Sequence, residues 1–330
     1  MIDFAALSID VVRSLIVIVV LLTMMAYMTW LERRLLAWFQ VRIGPNKVGP
    51  SGLLQPLADA LKLFFKEDIR PRSADRLLYP LAPAIALFAA ISAFAVVPIG
   101  PTVEIGGVSI PLIVADIPVG VLYLLAASSL GVYGLVLGGW SSGSKYSLLG
   151  GLRAAAQVVS YELILGISLV GVVLVSGSMS LGQIVQYQSE SVWYIFLQPV
   201  GFVLFLIAAV AETNRAPFDL PEAEQELVAG YHTEYSGMRF AMYFIGEYVA
   251  MITVSAVAAT LFFGGWSFPI FPGPWWLFLK MLFFLFLYVW LRATLPRLRY
   301  DQLMRLSWGV LLPIGLLNIA VTAIVVAALA

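Results

Sequence analysis

Cysteine is absent from the chain and histidine occurs once, as His232. Without thiolates the chain itself ligates no iron–sulfur cluster and carries out no thiol chemistry. A single imidazole excludes bis-histidine haem ligation within it. No glycine-rich loop follows a strand, so that route to nucleotide binding is closed as well, and nothing in the chain reads as a strand. Charge is scarce: Asp, Glu, Lys and Arg supply 12% of the 330 residues, against about a quarter in soluble proteins. Any redox role must therefore be shared with partners that hold the cofactors. His232 lies in a polar loop and reads as structural.

Apolar sequence fills the space that charge leaves, at 61% of residues. Eight runs of spanning length lie near 11–30, 77–97, 118–139, 155–176, 193–213, 239–262, 275–294 and 308–328, where about 20 residues suffice to cross a bilayer core. The expectation is an all-α, polytopic membrane protein of about eight transmembrane helices, with amphipathic interfacial helices between them. Residues 1–330 read as a single transmembrane domain, because no connection is long enough to hold another. The first run is too long, and lacks the small-residue cleavage site, to be a signal peptide. No helix stands out as broken by Gly or Pro near the midplane.

The zero net charge conceals an asymmetry. Seventeen of the nineteen Lys and Arg fall in four alternate connections, 31–76, 140–154, 213–239 and 292–307. Connections 98–117, 177–192 and 264–274 carry none, and the two exceptions, Arg13 and Lys280, sit where they can snorkel outward. The positive-inside rule then places the four basic connections in the cytoplasm or matrix and both termini outside.

Within the first basic connection, GPSGLLQPLADALKLFFKE (49–67) is amphipathic. At roughly 100° per residue, Leu53, Leu54, Leu57, Leu61, Phe64 and Phe65 share one side of a helix, with Gln55, Asp59, Lys62 and Lys66 on the other. Pro56 suits its first turn. Such a helix lies in a membrane interface, although a solvated surface helix has the same period. Three acids, Glu162, Glu212 and Glu247, fall within or at the cytoplasmic ends of spans four, five and six. A charged side chain at mid-helix costs roughly 2.5–3.5 kcal/mol to insert, so such residues face a bundle interior or a wet cavity, unless they sit at the headgroups. After span five, Asp219, Glu222, Glu224, Glu226 and Glu234 crowd one loop. Asp219 with Glu222 and Pro221 forms a capping-box pattern that accounts for the first two acids and not for Glu224 and Glu226.

Four long strings carry a family resemblance: LERRLLAWFQVRIGPNKVGP with the amphipathic segment that follows it, GLRAAAQVVSYE, PFDLPEAEQELVAGYHTEY and WLRATLPRLRYDQLM. In order, and on one expected side of the membrane, they resemble the H-subunit family of respiratory complex I, the proton-pumping NADH:quinone oxidoreductase. The likeness runs from about residue 20 to residue 310. It implies a membrane component of that enzyme with no redox cofactor of its own and quinone as substrate. It further implies FMN and iron–sulfur clusters in partner subunits, with hydrophilic quinone-site subunits and antiporter-like membrane subunits as neighbours. Lipid contacts and no nucleic acid are expected, in a bacterial inner membrane or its mitochondrial equivalent.

By that resemblance Glu32, Arg33, Arg42, Gln55, Asp59 and Lys62 line a quinone chamber, with Phe65 on the apolar side of the interfacial helix. Arg215 and Phe218 match its far wall and Arg292, Arg297 and Arg299 its basic lining. Glu222, Glu224 and Glu226 match a loop that responds to quinone chemistry, and Glu162, Glu212 and Glu247 a carboxylate path toward the proton pumps. The chemistry agrees: a quinone has an apolar tail and a polar head, and its two-electron reduction develops negative charge that Arg groups stabilise and carboxylates answer by coupled titration. Arg33, Arg42 and Arg292 are also suited to ion pairing and headgroup anchoring. The alternatives are the equivalent anchor component of a membrane-bound hydrogenase and a free-standing ion-coupled transporter.

Overall fold

The structure, a computed structural model, describes residues 4–105, 108–221, 228–268 and 270–329. Helices dominate. In chain order they are α1 (Phe4–Phe39), α2 (Gln55–Phe65), α3 (Leu78–Ala93), α4 (Gly120–Ser141), α5 (Lys145–Ser176), α6 (Leu181–Glu190), α7 (Tyr194–Leu197), α8 (Pro199–Glu212), α9 (Gly237–Phe262), α10 (Pro274–Thr294), α11 (Tyr300–Leu306) and α12 (Leu312–Leu329). A π-helical turn, Ser307–Leu311, joins α11 and α12 into one rod. Seven helices among the described residues are long and apolar enough to cross a bilayer. The chain is an all-α, multi-pass membrane protein.

Two features depart from the expectations. The run at 193–213 is interrupted: α7 ends at Leu197 and α8, only 14 residues long, begins at Pro199. Gln198 between them is non-helical (φ −131°, ψ 54°), because the residue before a proline is pushed out of the α region. The break is held by side chains: Gln198 Nε2 donates to Thr322 Oγ1 at 2.8 Å and its Oε1 accepts from Asn318 Nδ2 at 3.0 Å. A helix end that lipid would leave unsatisfied is thus pinned to α12. Second, strands do occur. β1 (Val103–Ile105) and β2 (Val108–Ile110) pair antiparallel in the register Val103↔Ile110, Glu104↔Ser109 and Ile105↔Val108. Alternating VEI and VSI around two glycines is a hairpin pattern, at a length too short to be read as a strand.

The bundle centres on α4, α5, α8, α9 and α10, whose buried faces form one continuous core. Glycines permit its closest approaches. A Cβ on Gly134 would come within 2.8 Å of the Ala86 backbone on α3, and one on Gly139 within 2.5 Å of the Ser147 carbonyl on α5. Membrane helices pack through such small residues, because dispersion contact replaces the hydrophobic drive that lipid removes. At 36 residues, or about 54 Å at 1.5 Å per residue, α1 outruns a core of about 30 Å. Its last turns, with Glu32 and Arg33, extend past that core on the basic side. On the opposite side Arg13 and Lys280 are tied down. Arg13 donates to the carbonyls of Pro111 and Val114, and Lys280 Nζ to those of Phe263, Gly265 and Ser267 at 2.7–2.9 Å.

Replacing Gly139 by Ala should lower thermal stability by about 1–3 kcal/mol through overpacking. Gly131→Ala, whose Cβ would meet only the Ala89 methyl at 3.8 Å, should leave it unchanged. Melting of the two variants in detergent checks this.

Candidate functional site

The projecting end of α1 buries one residue. Glu32 is 3% exposed. Its Oε1 accepts from Arg215 Nη1 at 3.2 Å and from the Arg292 guanidinium, and its Oε2 from the Tyr248 hydroxyl at 2.6 Å. Arg215 also meets Glu247, with Nε 2.8 Å from Oε1, and lies 4.4 Å from the centre of the Tyr248 ring. Two carboxylates, two guanidinium groups and a phenol thus meet from α1, the connection after α8, α9 and the end of α10. Burial opposes the Arg215 charge, but Glu247 and Glu32 outweigh it and hold its pKa well above the ordinary arginine value.

The turn that presents Arg215 is set by local chemistry. Asn214 takes the left-handed conformation (φ 51°) that asparagine tolerates. From α5, the fully buried Gln157 directs its Nε2 at the carbonyls of Ala211 (2.8 Å) and Phe218 (2.7 Å), bracketing the turn. Phe218 is buried against the Tyr161 ring, 5.4 Å away, and packs into the core.

One residue along α1, Arg33 faces the interfacial helix. Its Nη1 lies 2.5 Å from Asp59 Oδ2, while Asp59 Oδ1 accepts from Gln55 Nε2 at 3.0 Å, a pair four residues apart on α2. The helix begins at Gln55, with Pro56 in its first turn, so Leu53 and Leu54 precede it; Lys66 is its extended C-cap and leaves the helical arc. Lys62 is exposed. The apolar side is bare: Leu57 is 59% exposed and Phe65 79%. Elsewhere on this face Arg297 pairs with Asp219 at 2.6 Å, and exposed Arg299 caps α11 and lies 3.2 Å from Asp301. Arg42 is apart from the cluster, its Nε donating to Gln40 at 2.7 Å in an exposed turn.

The intramembrane acids are brought to one place. Glu212 and Glu247 line a cavity of about 120 Å³ between α3, α4, α5, α8 and α9, with Ser128, Thr213, Asn214, Tyr231, Tyr243 and Thr253 as its other polar groups. One water needs only about 10–15 Å³ of such space, so the cavity has room for several. One carboxylate oxygen of Glu212 is buried with no hydrogen-bond partner. Glu162 lies beyond, hydrogen-bonded to Ser129 on α4. Glu222, Glu224 and Glu226 fall outside the described residues, and with them the capping box expected for Asp219. His232 sits in a 3₁₀ turn, edge-on to Tyr231 and Phe240.

Sequence reasoning missed Tyr248, Gln157, Ser128 and Ser129. Each is a polar residue inside an otherwise apolar helix, which is the signal that could have found it.

Known proteins resemble this chain along nearly its whole length. A family model described as NADH dehydrogenase matches residues 12–323. The NADH-quinone oxidoreductase H subunit of Thermomicrobium roseum is 59% identical, over 98% of this chain and 97% of its own length. An H subunit of the NADH-quinone oxidoreductase of Geobacter sulfurreducens is 57% identical over 92% of each chain. That of Deinococcus deserti is 54% identical over 96% of this chain and 83% of its own.

Arg215→Met removes the guanidinium that Glu32 and Glu247 share, leaving Glu32 to Arg292 and Tyr248, and should destabilise the protein by about 3–5 kcal/mol. Arg42→Ala, in an exposed turn, should change stability by less than about 0.5 kcal/mol. Thermal melting distinguishes the two, and equal effects would refute the central role given to Arg215.

Proposed function

The chain belongs to the NADH dehydrogenase family, and from that premise we propose that it is the quinone-facing membrane component of a proton-pumping NADH-quinone oxidoreductase. In this reading residues 1–330 act as one transmembrane domain in a bacterial inner membrane, with both termini outside. The four basic connections form the chamber side, against hydrophilic subunits that bring FMN and iron–sulfur clusters. Antiporter-like subunits adjoin within the membrane.

One observation carries the proposal: neighbouring residues of α1, Arg33 and Glu32, anchor two polar clusters, one on the interfacial helix and one that reaches Glu247 in the wall of the cavity it shares with Glu212. At its outer end Asp59, Gln55 and Arg33 make a polar corner on α2, next to the bare apolar face of Leu57, Leu61, Phe64 and Phe65. A molecule with an apolar tail and a small polar head fits that combination. Quinone enters along the apolar face, its head reaches the polar corner, and a cluster in a neighbouring subunit reduces it. Arg33, Arg292, Arg297 and Arg299 supply positive charge where the reduced head develops negative charge.

Glu32 takes a different part from the lining role its sequence position suggested. Fully enclosed by Arg215, Arg292 and Tyr248, it sits behind the chamber wall and links it to Glu247. From Glu247 the cavity continues to Glu212, and Glu162 follows. We assign these three acids to the proton relay, with Glu222, Glu224 and Glu226 on the loop between.

The first test is NADH:quinone reductase activity, sensitive to a quinone-site inhibitor, in a complex purified through a tag on this chain. A stable complex lacking that activity would overturn the assignment. Within an active complex, Asp59→Asn keeps the shape and removes the charge that meets Arg33. It should lower quinone reductase turnover by at least about tenfold while the complex still assembles. Wild-type turnover in that variant would remove Asp59 from the site.

A further inference from the structure

Ser128 and Ser129 are neighbours on α4, and each hydroxyl has two possible acceptors. Ser129 Oγ lies 2.7 Å from the carbonyl oxygen of Leu125 and in hydrogen-bonding contact with Glu162 Oε1. Ser128 Oγ lies 3.0 Å from the same Leu125 oxygen. It shares the cavity wall with Glu212 and sits within interaction range of that carboxyl group. Bonding of serine to a carbonyl three or four residues back is ordinary in membrane helices. The unusual feature is a carboxyl group on the far side of each hydroxyl.

A serine hydroxyl has one proton to give and two lone pairs with which to accept. When Ser129 donates to Leu125, its contact with Glu162 is a hydrogen bond only if the carboxyl supplies the proton. When Glu162 is ionised, the Ser129 hydroxyl must turn toward it and release Leu125. The same choice faces Ser128 between Leu125 and Glu212. The Leu125 carbonyl oxygen also carries its intrahelical bond and has one lone pair left, so it is a resting acceptor for which the two hydroxyls compete. We propose that Ser128 and Ser129 are positioning residues, a hydroxyl bridge that couples the protonation of Glu162 on α5 to that of Glu212 on α8. The bridge makes and breaks no covalent bond; it reorients two hydroxyl protons.

The surroundings leave few competing groups. Among the described residues, the titratable side chains around the pair and its two acids are Glu162 from α5, Glu212 from α8, Glu247 and Tyr243 from α9, Tyr231 from the connection before α9, and Tyr288 from α10, which lies near Glu212. From α3 the wall is made of alanines, Ala86, Ala89, Ala90 and Ala93.

This inference rests on the relay reading above, and the test separates the two. Ser129→Thr and Ser129→Val have the same shape and differ in the hydroxyl alone, so packing affects them equally. Both are made in the intact complex in proteoliposomes, beside Glu162→Gln and Glu212→Gln. Protons translocated per quinone reduced, and the pH profile of coupled turnover, are recorded for each. Threonine should behave as wild type, whereas valine should lower translocation roughly tenfold, as loss of one charge-assisted hydrogen bond would, and displace the pH profile. If threonine and valine behave alike while the two glutamine variants lose translocation, the hydroxyl bridge is overturned and the relay stands. If the glutamine variants translocate like wild type, the relay itself fails and the bridge with it.

Discussion

A guanidinium group enclosed by two carboxylates governs the polar side of this protein. Arg215 meets Glu32 at 3.2 Å and Glu247 at 2.8 Å, and Arg292 closes on Glu32 from the other side. Any one of these charges alone at the edge of an apolar bundle would be costly, and removing one partner leaves the cluster with unbalanced charge. The constraint therefore acts on the backbone. It fixes the end of α1 against α9, draws the C-terminal end of α10 across, and requires the tight turn after α8 that Gln157 brackets from α5. The partners lie 183 and 260 residues apart in sequence, so the cluster closes the bundle on the side where the basic connections emerge.

The interfacial helix is held differently. Its one ion pair among the described residues, Arg33 with Asp59, involves an arginine side chain that is 48% exposed, and exposed pairs contribute about 0–1 kcal/mol. Leu57, Leu61, Phe64 and Phe65 on its apolar side are each more than half exposed. A rigid, fully compensated cluster thus sits beside a lightly tethered helix whose bare face must be met by lipid, by a partner or by an apolar ligand tail. On the proposed reading that contrast is useful: the entrance adapts to a long substrate, while the charges behind it keep their geometry.

Hydropathy and helical period made much of this visible in advance. Seven of the eight spanning runs and the amphipathic helix within 49–67 follow from one-dimensional patterns, and each forms a helix, the last over Gln55–Phe65. Pairings do not follow from such patterns. Nothing near position 32 announces that its partners are at 215, 248 and 292, or that its carboxylate is buried among them. Interruption of the fifth run escaped notice because a single polar residue, Gln198, barely alters the hydropathy of a long window. Its partners Asn318 and Thr322 sit over a hundred residues away. The hairpin at 103–110 is three residues per strand, below the length at which alternation stands out.

Glu247 belongs to two systems at once, and this gives the arrangement its logic. Toward the chamber side it is an ion-pair partner of Arg215; toward the bundle interior it is part of the wall that it shares with Glu212. Among the described residues, Glu162 and Glu212 have no ion-pair partner, and a hydroxyl is the only side-chain partner seen for Glu162. Suppose negative charge grows near Arg292, as reduction of a quinone head would make it grow. Arg292 is drawn outward from Glu32, and Arg215 then becomes the main compensation that Glu32 has left. A guanidinium that moves toward Glu32 moves away from Glu247. A carboxylate whose ion pair with a buried guanidinium lengthens bears more of the desolvation cost of its charge, which favours uptake of a proton. The cavity beside it is where water could bring that proton. In the proposed reading, coupling thus requires no long mechanical stroke, only one arginine shared between two acids and a cavity with room for water on one side of the second.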